Sequence, residues 1–169
     1  MTVNVTKPAI NLREKLSELD FDRVPFQKMP AGSVLQVVSE TINTGWVSTT
    51  SSVLVTSNIG LSITPKRANS KIIIDYHFPM AHVPTTGSTL VPAIFKNGVN
   101  LGSGTSYPQG FLHNSNGAPQ YPSFSIKDVD TVTSTEQVTY TVYFRSTSGQ
   151  VHLAHNGSQI HLVLMEIAQ

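Results

Sequence analysis

The sequence predicts an all-β protein: an antiparallel β-sandwich, jelly-roll-like, preceded by a short N-terminal arm of helical and extended segments. Beyond residue 30 the chain has no helical period, and short runs rich in Val, Ile, Thr and aromatic residues end at Gly, Asn or Pro. About eight or nine such runs in a chain of this length suit two packed sheets. No repeat of fixed period is visible, which disfavours a propeller or solenoid.

The strand-forming runs follow one another with turn signals between them. The Asn97-Gly98 pair favours a type I′ hairpin, and Asn156-Gly157 predicts a final hairpin between the last two strands. The most apolar run, KIIIDYHFP, is expected to be a central strand, and EQVTYTVYFRS alternates one apolar face with one polar face. The other runs are SVLQVVS, WVSTTSSVLVTS, IGLSITP, LVPAIFKNGVNLGSG and GQVHLAHNGSQIHLVLMEI.

Two irregular stretches, MAHVPTTGST and residues 106–123, interrupt the strands, and the second has the Pro, Gly and Asn content of an ordered surface loop. Aromatic residues flank this loop, and they either stack against a sugar or anchor the loop on its own sandwich, which is the more common use of such residues. The possible glycan contacts are Tyr107, Phe111 and Tyr121, with Phe124 beside them.

The arm comprises residues 1–32 and the sandwich residues 33–169. Residues 1–30 contain nine of the 21 Asp, Glu, Lys and Arg residues of the whole chain. Leu12, Leu16 and Leu19 form an apolar stripe on a helix predicted over about 12–19, which Asn11 caps. Because so short a helix is marginal in water, the stripe must lie against its own domain, a sister subunit or another protein. Residues 21–32 are predicted to be an extended linker.

Composition excludes several classes of function. A net charge of +1 and dispersed basic residues argue against nucleic acid and anionic membrane as partners. The chain has no cysteine, which fits synthesis in a reducing cytosol. It has neither an apolar run of about 20 residues that would span a bilayer nor a signal-peptide pattern.

No constellation of residues indicates catalysis, so we expect a non-enzyme without a cofactor. The glycines of LGSGTSYPQG lack the spacing of a phosphate loop, and no nucleophile elbow is present. Asp128 and Asp130 suit a solvated loop better than a calcium site. Of the late histidines, His152 and His161 are predicted cross-strand neighbours with His155 beside the turn. We interpret the three as a polar edge at a surface or subunit contact rather than zinc ligands.

Two parts of the chain resemble virion proteins of tailed bacteriophages. The opening VNVTKPAINLREKLSELD is similar to the N-terminus of virion proteins from phages of cyanobacteria and marine bacteria. Four later motifs resemble a β module of phage tail fibres, namely Val34–Val38, Leu61–Pro65, Ser70–Ile72 and Met165–Ile167.

The resemblance implies a non-enzymatic homotrimer on the virion surface, made in the host cytoplasm. Because the chain has no fibre shaft, it fits a capsid decoration (cement) protein that docks through its arm on the major capsid protein, or else on a tail protein. The expected docking residues are Leu12, Leu16, Leu19, Phe21 and Phe26. The alternatives are a tail-fibre knob that recognises host glycan through residues 106–123, and a stand-alone carbohydrate-binding module.

Overall fold

A computed structural model describes residues 25–102, 109–155 and 157–169. Among the residues singled out above, Leu12, Leu16, Leu19, Phe21 and Tyr107 lie outside the described residues. No helix in the described part of the chain is long and apolar enough to cross a membrane.

The described residues form an antiparallel β-sandwich, which confirms the predicted fold class. The front sheet has the order β1-β11-β4-β8, and the back sheet has the order β3-β9-β5-β6, with β7 also paired to β5. A short third pair joins β10 to β2. The strands are β1 (Val34–Asn43), β2 (Val47–Thr49), β3 (Val55–Ile63), β4 (Lys71–Phe78), β5 (Thr89–Lys96), β6 (Val99–Asn100), β7 (Leu112–His113), β8 (Phe124–Thr131), β9 (Val138–Ser146), β10 (Val151–Ala154) and β11 (Gln159–Ile167).

The strand pairing is that of a jelly roll, a long antiparallel hairpin rolled into two sheets. From the ends of the chain inward, β1 pairs with β11, β3 with β9, β4 with β8, and β5 with β6. The tip of this rolled hairpin is Asn97-Gly98, whose φ angles of 48° and 84° are those of a type I′ turn. The hairpin predicted there is confirmed.

The core lies between the two sheets and follows the predicted alternation. Strand β4 is an interior strand of the front sheet, between β11 and β8, as its apolar sequence indicated. In β9 every second side chain from Val138 to Phe144 is buried against the other sheet, as predicted. A polar chain also crosses the core: the Tyr76 hydroxyl donates to the Tyr140 carbonyl at 2.9 Å, and the Tyr140 hydroxyl donates to Asp130 Oδ2 at 2.7 Å.

A buried carboxylate lies where both ends of the sandwich domain meet the β3–β4 turn. Alternate residues of β11 point into the core, and at the last inward position stands Glu166, which is fully buried. Its two oxygens accept hydrogen bonds from the backbone N–H groups of Lys66 and Arg67, at 2.8–3.0 Å, and from the Ser70 hydroxyl at 2.7 Å. The side-chain amide of Gln36 in β1 donates a further bond at 2.7 Å.

Every group around Glu166 is therefore a donor, and the carboxylate acts purely as an acceptor. Such charge-assisted bonds are among the stronger hydrogen bonds in proteins. They fasten two separate segments, the start of β1 and the turn between β3 and β4, to the end of β11. Backbone bonds from Gly32 N to Ala168 O (2.8 Å) and from Ala168 N to Ser33 O (2.9 Å) close the same corner.

Three of the predictions about strands and linker are wrong. The last two strands do not form a hairpin, because β10 pairs with β2 whereas β11 pairs with β1 and β4. Asp128 and Asp130 lie in strand β8 and not in a solvated loop: Gln109 donates to Asp128 at 2.9 Å, and Lys96 contacts Asp130 at 2.6 Å. The linker is not extended throughout, since Phe26–Lys28 form a 3-10 turn.

Replacing Glu166 by Gln tests the role of this corner. The Gln amide nitrogen would face donors where the carboxylate accepted bonds, so we expect the free energy of unfolding to fall by about 1–3 kcal/mol. Urea denaturation measures the change. The matched control is Glu136→Gln in the exposed β8–β9 connection, which should leave stability nearly unchanged. Equal effects of the two substitutions would contradict a structural role for the buried carboxylate.

Candidate functional site: an apolar sheet face and an aromatic cluster

The outer face of the front sheet carries a row of apolar side chains that crosses all four strands. Val37 in β1 lies opposite Met165 in β11, Met165 opposite Ile73 in β4, and Ile73 opposite Val129 in β8. We call these four residues the apolar row. Val37, Ile73 and Val129 are 54%, 38% and 57% exposed, so the row faces outward rather than into the core.

More apolar side chains extend the row along the central strand β11, where Val163 and Ile167 share its face and are only half-buried. At the edge, Val34 opposite Ile167 is 47% exposed. Contiguous exposed apolar surface of this kind is typical of protein–protein contact sites.

A polar border lies beside the row on the same face. Toward the far end of the sheet, Thr41 Oγ1 and His161 Nδ1 lie 3.2 Å apart, and His77 Nδ1 and Ser125 Oγ lie 3.0 Å apart. Between this border and the row, Lys127 and Asp75 form an ion pair of 2.9 Å. An apolar centre with a polar border is the usual anatomy of an interface between proteins.

A second feature lies where the two irregular stretches meet. Backbone hydrogen bonds link Val83 and Gln120 in both directions, at 3.0 and 3.2 Å, and Ala81 N donates to Pro122 O at 2.8 Å. These bonds hold residues 81–83 against residues 120–122 as a short ladder. The neighbouring His82 pairs in turn with His152 of β10.

This ladder assembles an aromatic cluster of Trp46, His82, Tyr121, His152 and His155. The rings of Tyr121, His82 and His152 stack in that order, with centroids 4.4 and 4.9 Å apart. Trp46 packs on His152 at 4.4 Å and on His155 at 4.0 Å. The outer members remain accessible, since Trp46 is 46% and Tyr121 is 52% exposed.

The inner histidines of the aromatic cluster are buried in a nonpolar setting. Both ring nitrogens of His82 and Nδ1 of His152 are buried without a hydrogen-bond partner. Burial lowers the pKa of His82 below the ordinary histidine value, and the nearby His155 lowers it further. Burial likewise lowers the pKa of His152, with His82 and His155 adding to the effect. Both shifts favour the neutral form of the ring.

The structure brings together part of the predicted histidine group. His152 and His155 share the aromatic cluster, but the predicted pairing of His152 with His161 is wrong, because His161 lies on the outer face of the front sheet and stacks on His77 at 6.4 Å. Throughout the described residues, no group of three His, Cys, Asp or Glu side chains is placed to hold a metal ion.

The predicted glycan contacts and docking residues are placed only in part. Tyr121 joins the aromatic cluster, Phe111 is 57% exposed, and Phe124 stacks on Phe78 at 4.8 Å, which anchors the end of the loop on the sandwich. Of the docking residues, Phe26 is described and lies 39% exposed, with Lys66 Nζ 5.9 Å from its ring.

Sequence reasoning missed Trp46, His82 and the apolar row. The row had a visible signal: both Ile72-Ile73-Ile74 and Leu162–Met165 are unbroken apolar runs, and such runs predict strands covered on both faces. Trp46 and His82 had no such signal in the sequence, because only the pairing of distant segments brings them together.

No protein-family model and no curated protein matches this chain.

The lowered pKa values of His82 and His152 make stability depend on pH. Between the folded-state pKa and the ordinary value of 6.5, the unfolded chain binds more protons than the folded one. We therefore expect the free energy of unfolding to be constant above about pH 7.5 and to fall as the pH drops below about 6.5.

Urea denaturation between pH 5 and 8 measures this slope. In His82→Phe, which keeps a ring in the stack, the slope should be reduced, whereas His161→Gln outside the cluster should retain it. A slope equal to that of the parent chain in His82→Phe would show that the aromatic cluster is not its source.

Proposed function

We propose that this chain is a non-enzymatic structural protein of a tailed-phage virion, a homotrimer that decorates the capsid surface and stabilises it. The major capsid protein is its proposed partner, and the arm its attachment element, with Leu12, Leu16, Leu19, Phe21 and Phe26 as the docking residues. The phage origin and the trimer rest on the sequence resemblance.

The observation that carries the proposal is the apolar row. The row crosses the full width of the front sheet, and its register places apolar side chains outward on all four strands. An isolated domain gains nothing from leaving such a face in water, whereas burying it stabilises an assembly by about 25 cal/mol for each Å² of apolar surface. A lattice of such contacts, each weak, resists disruption through multivalency.

The form of the chain also supports decoration. The described sandwich is one jelly roll, without the long shaft that separates anchor from knob in a fibre. Its first described segment, Phe26–Lys28, is a single 3-10 turn, so only a short linker separates the predicted arm helix from β1. A compact body with a short arm suits a protein that lies on a surface and clips to its neighbours.

A second function is favoured by the aromatic cluster. Trp46 and Tyr121 present large exposed rings at one end of the sandwich, and such rings stack on the apolar faces of sugars. This supports the alternatives of a glycan-recognising tail knob or a stand-alone carbohydrate-binding module. Glycan-array binding by the parent chain that is lost in Tyr121→Ala and Trp46→Ala, but kept in Val99→Ala at an exposed position of strand β6, would favour them.

A charge placed in the apolar row tests the proposed assembly. In Ile73→Lys the introduced ammonium would be buried at the contact, so we expect sedimentation equilibrium to give the mass of one chain, 18.3 kDa, where the parent chain gives three times that mass. We also expect Ile73→Lys to bind more weakly than the parent chain to capsids that lack the protein. The control is Val53→Lys, 68% exposed outside the front sheet, which should remain trimeric and bind. A trimeric Ile73→Lys would contradict assembly through this face.

A further inference from the structure

Two histidines face each other across the interior strands of the front sheet, outside the aromatic cluster. His161 of β11 is the direct cross-strand partner of His77 of β4, and both side chains lie on the outer face, away from the core. Residues directly opposite each other in an antiparallel pair have Cβ atoms about 4.5–5.5 Å apart. The two rings are nearly parallel, with their planes inclined by 14° and their centroids 6.4 Å apart. The fold therefore holds two imidazoles side by side on an open surface.

Each of these rings is oriented by a hydroxyl group on the strand at its other side. His161 Nδ1 lies 3.2 Å from Thr41 Oγ1 of β1, and His77 Nδ1 lies 3.0 Å from Ser125 Oγ of β8. A hydroxyl oxygen can accept the proton of Nδ1, and the neutral ring then keeps its lone pair on Nε2. A partner of this kind fixes the tautomer of metal-binding histidines. Within the described residues, no group forms a hydrogen bond with Nε2 of either ring.

We propose that His77 and His161 form a binding site for a divalent transition-metal ion, which both rings ligate through Nε2. Zn²⁺, Ni²⁺ and Cu²⁺ are ions that imidazole nitrogen suits, whereas Mg²⁺ and Ca²⁺ take oxygen ligands. The part of the chain that the structure describes supplies no third His, Cys, Asp or Glu ligand. Water therefore fills the remaining coordination positions, in contrast to the closed four-ligand sites of structural zinc.

The separation of the two rings is close to what one ion needs. Metal–nitrogen bonds of about 2.1 Å in tetrahedral geometry place the centroids of two ligating imidazoles about 5 Å apart. The observed separation of 6.4 Å must therefore shorten by about 1 Å. Rotation about χ2, which is a broad torsion in histidine, supplies this approach without any movement of the strands.

The surroundings of the pair do not repel a cation. The charged groups on the neighbouring positions of this face are Asp75, two residues before His77 on β4, and Lys127 opposite Asp75 on β8. Their side chains pair at 2.9 Å, so the two charges offset each other. The histidines of the aromatic cluster offer a poorer site, because both ring nitrogens of His82 and Nδ1 of His152 are buried.

A bound ion joins the two interior strands of the front sheet. Because β11 also pairs with β1 and β4 also pairs with β8, a link between β11 and β4 braces the centre of that sheet. Only the folded chain holds the two rings at this spacing. An ion that binds the folded chain more tightly than the unfolded chain raises the stability of the fold by mass action.

Thermal unfolding of the full chain, prepared without a histidine tag, tests the site. At pH 7.5 we expect Zn²⁺ and Ni²⁺ to raise the melting temperature, and Mg²⁺ at the same concentration to leave it unchanged. Isothermal titration calorimetry with Zn²⁺ should give one ion per chain. Protons compete with the ion for the ring nitrogens, so the affinity should fall in acid.

His77→Gln and His161→Gln each remove one of the two ligands. The loss of a group outside the ligand shell already lowers metal affinity by about 10–100-fold, so each substitution should raise the dissociation constant at least about tenfold. Without metal, both variants should melt close to the parent temperature, because neither side chain belongs to the core. This separates loss of the site from loss of the fold.

His113→Gln is the matched control. His113 is also exposed on a strand, and its Nδ1 lies 2.8 Å from the Thr89 hydroxyl, but its cross-strand partner is Thr89 and not a histidine. This variant should keep the affinity and stoichiometry of the parent chain. Metal binding that survives in both His77→Gln and His161→Gln, or that is lost in His113→Gln, would overturn the proposal. A parent chain whose melting temperature neither ion raises would also overturn it.

The metal site does not depend on the proposed function. Both ligands belong to one copy of the chain, so the measurements need neither the trimer nor the capsid. A chain that binds the ion but does not bind capsids would uphold the site and contradict decoration, whereas a chain that binds capsids without binding the ion would do the reverse.

Discussion

The structure depends on one buried carboxylate. Glu166 accepts bonds from the Lys66 and Arg67 amides, Ser70 and Gln36, and so holds both ends of the sandwich domain to the β3–β4 turn. Its position also fixes the register of β11, since a slip of one residue would turn Glu166 outward and bring its neighbours inward. The apolar row includes Met165, so the outward face of the front sheet is set by the same interaction.

The carboxylate also gives the resemblance motifs a physical meaning. Gln36 lies in Val34–Val38, the bonded amides directly follow Leu61–Pro65, Ser70 opens Ser70–Ile72, and Glu166 is the centre of Met165–Ile167. Four motifs that are distant in sequence therefore meet at one corner of the jelly roll. These motifs determine how the sandwich is closed, so we expect other chains that fold with the same corner to contain them. The motifs thus bear on fold more directly than on function, which depends on the surfaces that the fold presents.

Much of the fold was predictable from the sequence because it depends on local pattern. The alternation in β9 and the Asn97-Gly98 turn each follow from a few adjacent residues. The final hairpin was predicted wrongly for the same reason: Asn156-Gly157 favours a turn, but β10 and β11 find better partners in β2 and β4. The aromatic cluster could not be predicted from local pattern, because the His82–His152 pairing joins segments about seventy residues apart. The apolar row could have been predicted, because unbroken apolar runs indicate strands with apolar side chains on both faces of a sheet.

We propose that this chain lies on a capsid surface, where a face such as the apolar row would be buried many times over. The most direct test of this proposal is the copy number of the chain in purified virions of the proposed source phage, measured by quantitative mass spectrometry against the major capsid protein. Decoration predicts hundreds of copies, because the sites follow the symmetry of the lattice. About a dozen copies would place the protein on the tail, and its absence from virions would contradict any structural role in the particle.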